Sequence, residues 1–253
     1  MKQPRDWTDQ QIKYYYEGIK HSDYPRLFWQ KMQPFMEGAR TLTDIGCGPG
    51  AFALEAAAAG FQVQAVDING KNLRALAGQA EARGLANIEL IHGDWLEVTV
   101  AESEVTVCAY SFGGNIGTRA GIEKLLATTR ELAFLISPCE KVRTDFLSAE
   151  LYQKMGIAPR TFSGDHREIL QIFSELQQQV EFEIVAYDFG MPLASKDEIK
   201  SCAVYLSDKL ELPDVQLVEA HIRDILTVKD GLYWLPNPKK SAFIIWQRSE
   251  KDE

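Results

Sequence analysis

The spacing of hydrophobic positions changes character along the chain. In residues 6–38 the apolar side chains fall at helical intervals, with Ile12, Tyr15, Tyr16 and Ile19 on one face. Thr8 and Gln11 have the spacing of a capping box. Tyr24-Pro25 breaks the run, and a second helix through Phe28, Met32 and Phe35 follows. From Thr41 onward, short apolar runs alternate with helical segments, the order that builds βαβ units and a parallel sheet. Strands are predicted at 41–45, 62–67, 88–92, 105–110 and 132–137. Helices rich in good helix formers are predicted at 51–59, 73–83 and 122–130.

Beyond Ser137-Pro138 two more helices are predicted, the second opening at Asp165 and burying Ile169, Ile172, Phe173 and Leu176. Residues 181–189 alternate as a strand, and Ser195 with Glu198 forms a capping box for a helix reaching about Leu210. Val218, Ile222 and Ile225 mark another helix, and 241–247 supplies the last strand. The expectation is a doubly wound α/β domain over 1–253, with helices on both faces of the sheet and helical embellishments.

Composition narrows the field. With 45% hydrophobic and 25% charged residues the chain reads as a folded globular protein. A formal net charge of -9 argues against nucleic acid as a partner, because that affinity rests on Lys and Arg. Cys47, Cys108, Cys139 and Cys202 are scattered without metal-ligand or disulfide spacing and read as reduced thiols. No histidines or carboxylates stand at a recognised metal spacing, so no metal is expected. The polar start of the chain lacks a signal-peptide core, and no apolar run approaches the roughly 18 residues that span a bilayer. A cytoplasmic protein with no membrane partner is expected.

Chemistry concentrates at the strand ends. Thr43-Asp44-Ile45-Gly46-Cys47-Gly48-Pro49-Gly50 leaves the first strand and enters a helix, and its glycines let a ligand touch the backbone. The second strand ends in Asp67-Ile68, where an α/β sheet presents an acid to a ribose diol. The third ends in His92-Gly93-Asp94-Trp95, a carboxylate and an indole suited to a purine. Gly46, Gly48 and Ala51 also satisfy the relaxed dinucleotide fingerprint, so an NAD- or FAD-dependent oxidoreductase stays open on the loop alone. Asp67 and Asp94 have ordinary readings as cap or turn residues, and Trp95 as core filling.

With these motifs the chain resembles the class I S-adenosylmethionine-dependent methyltransferases. The stretch 44–50 matches the family's first motif, and Asp67 and Asp94 match its second and third. The resemblance implies a seven-stranded sheet whose last strand is antiparallel, with 41–137 as the cofactor-binding half. Residues 1–40 would form a helical cap, and 138–253 a second half with a helical insertion at about 191–237. It implies S-adenosyl-L-methionine as cofactor. Gly46, Cys47, Gly48 and Gly50 would lie under its methionine part and Asp44 near the amino group. Asp67 would meet the ribose, Asp94 and Trp95 the adenine, and Tyr110 and Ser111 the sulfonium, with Ile68 also among the cofactor-binding residues.

The acceptor side is less marked. The loop Tyr110-Ser111-Phe112-Gly113-Gly114-Asn115 falls where open sheets bind ligands. Tyr110, Asn115, His166 and His221 are the candidate catalytic residues, with Tyr187 as a further base. His221, however, shares an apolar face with Val218 and Ile222 and reads more readily as a core histidine than as a catalyst. His166 reads equally as part of a helix start. Aromatics in the embellishments, namely Tyr14, Tyr15, Tyr24, Phe28, Phe146, Tyr152, Phe162, Tyr205, Tyr233 and Trp234, suit a pocket for a small organic acceptor or simple packing. Methyl transfer to a small molecule is the expected activity, with a cofactor-binding sensor or accessory protein as the alternative.

Overall fold

The computed structural model describes residues 7–142, 144–159, 161 and 164–249. The amphipathic start of the chain folds into α1 (Asp9–His21), opened by the capping box in which Thr8 accepts from the Gln11 amide and Gln11 from the Thr8 amide. Helix α2 (Arg26–Met32) follows Pro25. The alternating stretch then gives β1 (Thr41–Ile45), α3 (Ala51–Ala58), β2 (Gln62–Asp67), α4 (Gly70–Ala82), β3 (Ile88–His92), β4 (Ser103–Ala109), α5 (Arg119–Thr128) and β5 (Thr129–Pro138). After it come α6 (Ala149–Met155), α7 (His166–Glu175), β6 (Val180–Asp188), β7 (Met191–Leu193), α8 (Ile199–Leu210), α9 (Val215–Ile225), β8 (Thr227–Lys229), β9 (Leu232–Leu235) and β10 (Pro238–Gln247).

Seven strands form one sheet in the order β3-β2-β1-β4-β5-β10-β6. The first five are parallel, and β10 runs antiparallel to both β5 and β6. Successive side chains alternate between two cores, as a pleated strand requires. Val105, Val107, Phe134 and Ile136 pack on one face with residues of α2, α3 and α4. Cys108, Ala133 and Leu135 pack on the other with Ile122 and Leu125 of α5 and Ile169 and Phe173 of α7. Burial of both faces explains why the central strands read as continuous apolar runs.

Four expectations are corrected. The helix expected to reach 130 ends at Thr128, because the buried Thr129 hydroxyl bonds Thr106 at 2.6 Å and opens β5. The fourth strand starts earlier and stops before Tyr110. Ser195 accepts from the Asp197 amide and opens a single 3₁₀ turn ahead of α8, while Glu198 turns back to the Ala194 amide, so the expected capping box is not made. The insertion at 191–237 is not purely helical: β7, β9 and β8 form a three-stranded antiparallel sheet that packs with α6, α8 and α9 around a third core. These strands are three or four residues long, too short for periodicity to reveal. No described helix is long and apolar enough to cross a membrane.

Candidate functional site

The glycine bend leaves the buried tip of β1. The Cys47 amide donates to the Val66 carbonyl at 2.9 Å, and the Gly50 amide to that of Cys47 at 2.9 Å, which closes the turn before α3. Gly46 has φ +65°, and a Cβ there would stand 2.3 Å from the Ser111 Cβ, so two strand tips touch at this point. Gly48 has φ +55°, and a Cβ there would meet nothing within 4 Å, because this part of the bend faces a cavity. The first glycine is needed by the fold; the second leaves room for a ligand.

Two buried carboxyls stand beside the bend. Asp67 accepts from the Gly48 amide at 2.7 Å through one oxygen and from the Asn69 amide at 2.7 Å through the other. Asp44, 2% exposed, accepts from the Ala53 amide at 3.0 Å. Burial lifts the pKa of Asp67, and lifts Asp44 from 3.8 to about 7, the nearby Asp67 adding to the shift. Both line the cavity. Such a site gains by taking up positive charge and hydroxyl donors.

At the third strand tip, Asp94 accepts from the Leu96 amide at 2.9 Å and from the Asn115 side-chain amide at 2.7 Å, which ties this turn to the loop after β4. Ile68 is 48% exposed, an apolar surface next to Asp67. Asp94, Ile68 and Asn115 lie outside the main cavity lining. Trp95 departs from its expected place against a purine. It is 2% exposed in the core below α5, its indole N–H donates to the Gly121 carbonyl at 2.9 Å, and it does not line the cavity. A buried indole needs a partner for its N–H, and α5 supplies one.

Tyr110 terminates β4 with φ +57°, a conformation uncommon outside glycine. Its hydroxyl bonds Ser241 of β10 at 2.6 Å and Tyr187 of β6. Its ring faces the cavity, and the Ser111 hydroxyl donates to the Gly46 carbonyl at 2.7 Å. The Tyr187 ring stacks on Tyr24 at 6.0 Å. Burial raises the pKa of Tyr24 and Tyr110 well above the usual phenol and pushes Tyr187 up to about 12, so these hydroxyls stay protonated at neutral pH. His166 and His221 are not brought to the cavity. His221 packs on α9 with a ring nitrogen 2.9 Å from the Phe146 carbonyl, and His166 is the first residue of α7.

From the bend the cavity continues past Tyr110 into the second half of the chain, with a total volume of about 1380 Å³. A pocket for a single small ligand spans roughly 300–1,000 Å³. Helix α1 forms part of the roof, with the Tyr16 hydroxyl donating to the Pro49 carbonyl at 2.8 Å and Tyr14 and Tyr15 lining the space. The outer wall includes the Asp145–Lys239 ion pair, Lys240 and Ser241, none of which the sequence reading singled out. They arrive because β10 is antiparallel, which brings its first residues to the edge where the parallel strands end. Phe162 lies outside the described residues. Among the described residues no three His, Cys, Asp or Glu side chains come together as a metal site.

Residues 42–133 match the family model described as a methyltransferase domain. An uncharacterized protein of Haemophilus influenzae is 27% identical over 157 residues, 60% of this chain and 56% of that protein, so the match spans little more than half the relative's length. Among solved structures, the fold is similar to an S-adenosylmethionine-dependent methyltransferase from Thiobacillus denitrificans in complex with S-adenosyl-L-homocysteine. That match has 16% identity and a TM-score of 0.55, covering 96% of this chain and 100% of that one. It is also similar to the magnesium protoporphyrin IX methyltransferase of Synechocystis with the same product bound, at 14% identity and a TM-score of 0.54, covering 97% and 90%. The match over 42–133 takes in the glycine bend and the strand tips that follow it, and it favours the methyltransferase-domain reading of that loop over the dinucleotide alternative.

Proposed function

We propose that this chain transfers the methyl group of S-adenosylmethionine to a small organic acceptor bound in the outer half of the cavity. The observation that carries the reading is the continuity of the space: one cavity runs from the open face of Gly48 and the buried Asp44 and Asp67, past Tyr110, to an aromatic wall. The residues suit the cofactor. The open face at Gly48 leaves room for its methionine part, with Gly46 and Cys47 beside it, and Gly50 turns the chain into α3. Asp44, a carboxyl with pKa about 7, gains from a cationic amino group beside it. Asp67 keeps lone pairs for ribose hydroxyls beyond the amides it already accepts. Ile68, exposed next to Asp67, and Asp94 at the third strand tip would flank the adenine beyond the cavity lining.

When bound, the cofactor supplies an electrophilic methyl group on a sulfonium. The protein's part is to hold the acceptor in line, exclude water and keep its own hydroxyls fixed. Tyr110 and Ser111 stand at the junction of the two halves, their hydroxyls held by Ser241 and Tyr187 and by the Gly46 carbonyl. Calorimetric titration tests the reading. Saturable binding of S-adenosylmethionine and S-adenosylhomocysteine is expected, weakened about 1 to 3 kcal/mol by Asp67→Ala. No heat at millimolar ligand rejects it. Conversion of S-adenosylmethionine to S-adenosylhomocysteine with any acceptor separates the enzyme from a binding-only sensor.

A further inference from the structure

The outer half of the cavity carries its own chemistry. In a chain with 36 acidic against 27 basic residues, three lysines, Lys209, Lys239 and Lys240, line this one space. Their surroundings differ. Lys239 pairs with Asp145. The Lys209 ammonium stands 5.4 Å from the Phe146 ring and 5.7 Å from Tyr205. Lys240 is exposed to the cavity and makes no ion pair among the described residues. Of the carboxylates on the same wall, Asp145 is taken by Lys239, and Asp188 accepts from the Trp234 indole at 2.5 Å and the Asn237 amide at 2.6 Å. Glu140 is left as the competing charge.

Around these charges the wall is aromatic. Tyr14 of α1 packs on Tyr205 of α8 at 4.7 Å, and Tyr15 on Phe189 at 5.9 Å, so rings from separate elements face the same space. Next to Lys240 in β10, the Ser241 hydroxyl joins those of Tyr110 and Tyr187. A wall of rings, tilted and edge-to-face, favours an apolar ring system, and a cation with no ion pair among the described residues beside hydroxyls favours a negative group.

We propose that the acceptor is a planar, largely apolar molecule carrying a carboxylate, held between the aromatic rings with its charge on Lys240. This rests on the reading of the inner half as the cofactor site. The test uses three probes of one ring system, 2-naphthoate, 2-naphthalenemethanol and 2-naphthylmethylammonium, titrated at pH 7.5 into protein saturated with S-adenosylhomocysteine. The carboxylate is expected to bind at least tenfold tighter than either partner. Lys240→Met should remove most of that preference, with alcohol binding kept within twofold, and Lys240→Arg should retain it. Equal binding of the three, tighter binding of the ammonium through Glu140, no saturable binding of any, or a preference untouched in Lys240→Met overturns the proposal. If S-adenosylhomocysteine itself fails to bind, the cofactor reading falls; if it binds and the naphthoate preference is absent, only the acceptor proposal falls.

Discussion

The two halves of the cavity are built by different means. The inner half is mostly backbone and buried carboxyl: the Gly46–Gly50 bend, with Asp44 and Asp67 fixed by amide donors from the chain around them. The outer half is side chain, with rings and lysines reaching in from α1, the segment after β5, β6, α8 and β10. A wall made of backbone and buried carboxyl leaves little freedom for substitution, because a change costs either the turn, as at Gly46, or the ligand's space and charge, as at Gly48 and Asp44. A wall made of side chains changes its chemistry one residue at a time while the sheet beneath stays the same.

Substitutions at the bend should give the largest effects. Gly46→Ala places a Cβ against Ser111 and forces a left-handed alanine, and should cost roughly 3 to 5 kcal/mol of stability by urea denaturation. Gly48→Ala meets no protein atom and should cost only about 1 kcal/mol of backbone strain, yet weaken S-adenosylhomocysteine at least tenfold by calorimetry. Equal stability losses at the two positions would erase the division between a glycine the fold needs and one the ligand needs.

Asp44→Asn should act next, with opposite signs on stability and binding. The folded pKa of about 7 lies above the ordinary 3.8, so the unfolded chain releases the proton first, and folding loses stability as pH rises between those values. Removing the charge should therefore stabilise the ligand-free protein by roughly 2 to 4 kcal/mol at pH 8, a gain that disappears below about pH 4. Cofactor affinity should fall, and in the unsubstituted protein it should strengthen as pH rises through 7. Denaturation midpoints at pH 5 and 8 with paired titrations check both; a pH-independent gain would place the cause outside this carboxyl.

The smallest effect is expected across the boundary. Tyr187→Phe removes one hydroxyl from the group formed with Tyr110 and Ser241 and should cost about 1 kcal/mol of stability. S-adenosylhomocysteine affinity should stay within twofold while turnover of an acceptor falls. A loss of cofactor affinity as large as that of Gly48→Ala would show that the two halves are not separable.

The bend and the acids proposed to hold the cofactor were readable in advance because each is local to one strand end. Asp44 to Gly50, Asp67 and Asp94 each sit at the end of an apolar run, and the order of strand tips in the chain is their order in space. Trp95 shows the limit of that reasoning: a motif position gives the element but not the direction of the side chain, and the Gly121 carbonyl draws this indole inward. The outer half was not readable for a topological reason. Lys239, Lys240 and Ser241 reach the site only because β10 inserts between β5 and β6 in the opposite direction, and Asp145 meets Lys239 across 94 residues of chain. His166 and His221 drew notice as residue types that do acid–base chemistry, yet one begins a helix and the other supports the Phe146 backbone.

The strand order also bears on how such a protein can be retargeted. With β1, β2 and β3 on one side of β4 and β5, β10 and β6 on the other, the wing proposed to hold the cofactor and the wing proposed to hold the acceptor flank the Tyr110 tip. Under the proposed division, libraries confined to residues 187–191 and 237–241 would change acceptor selectivity while leaving the glycine bend untouched.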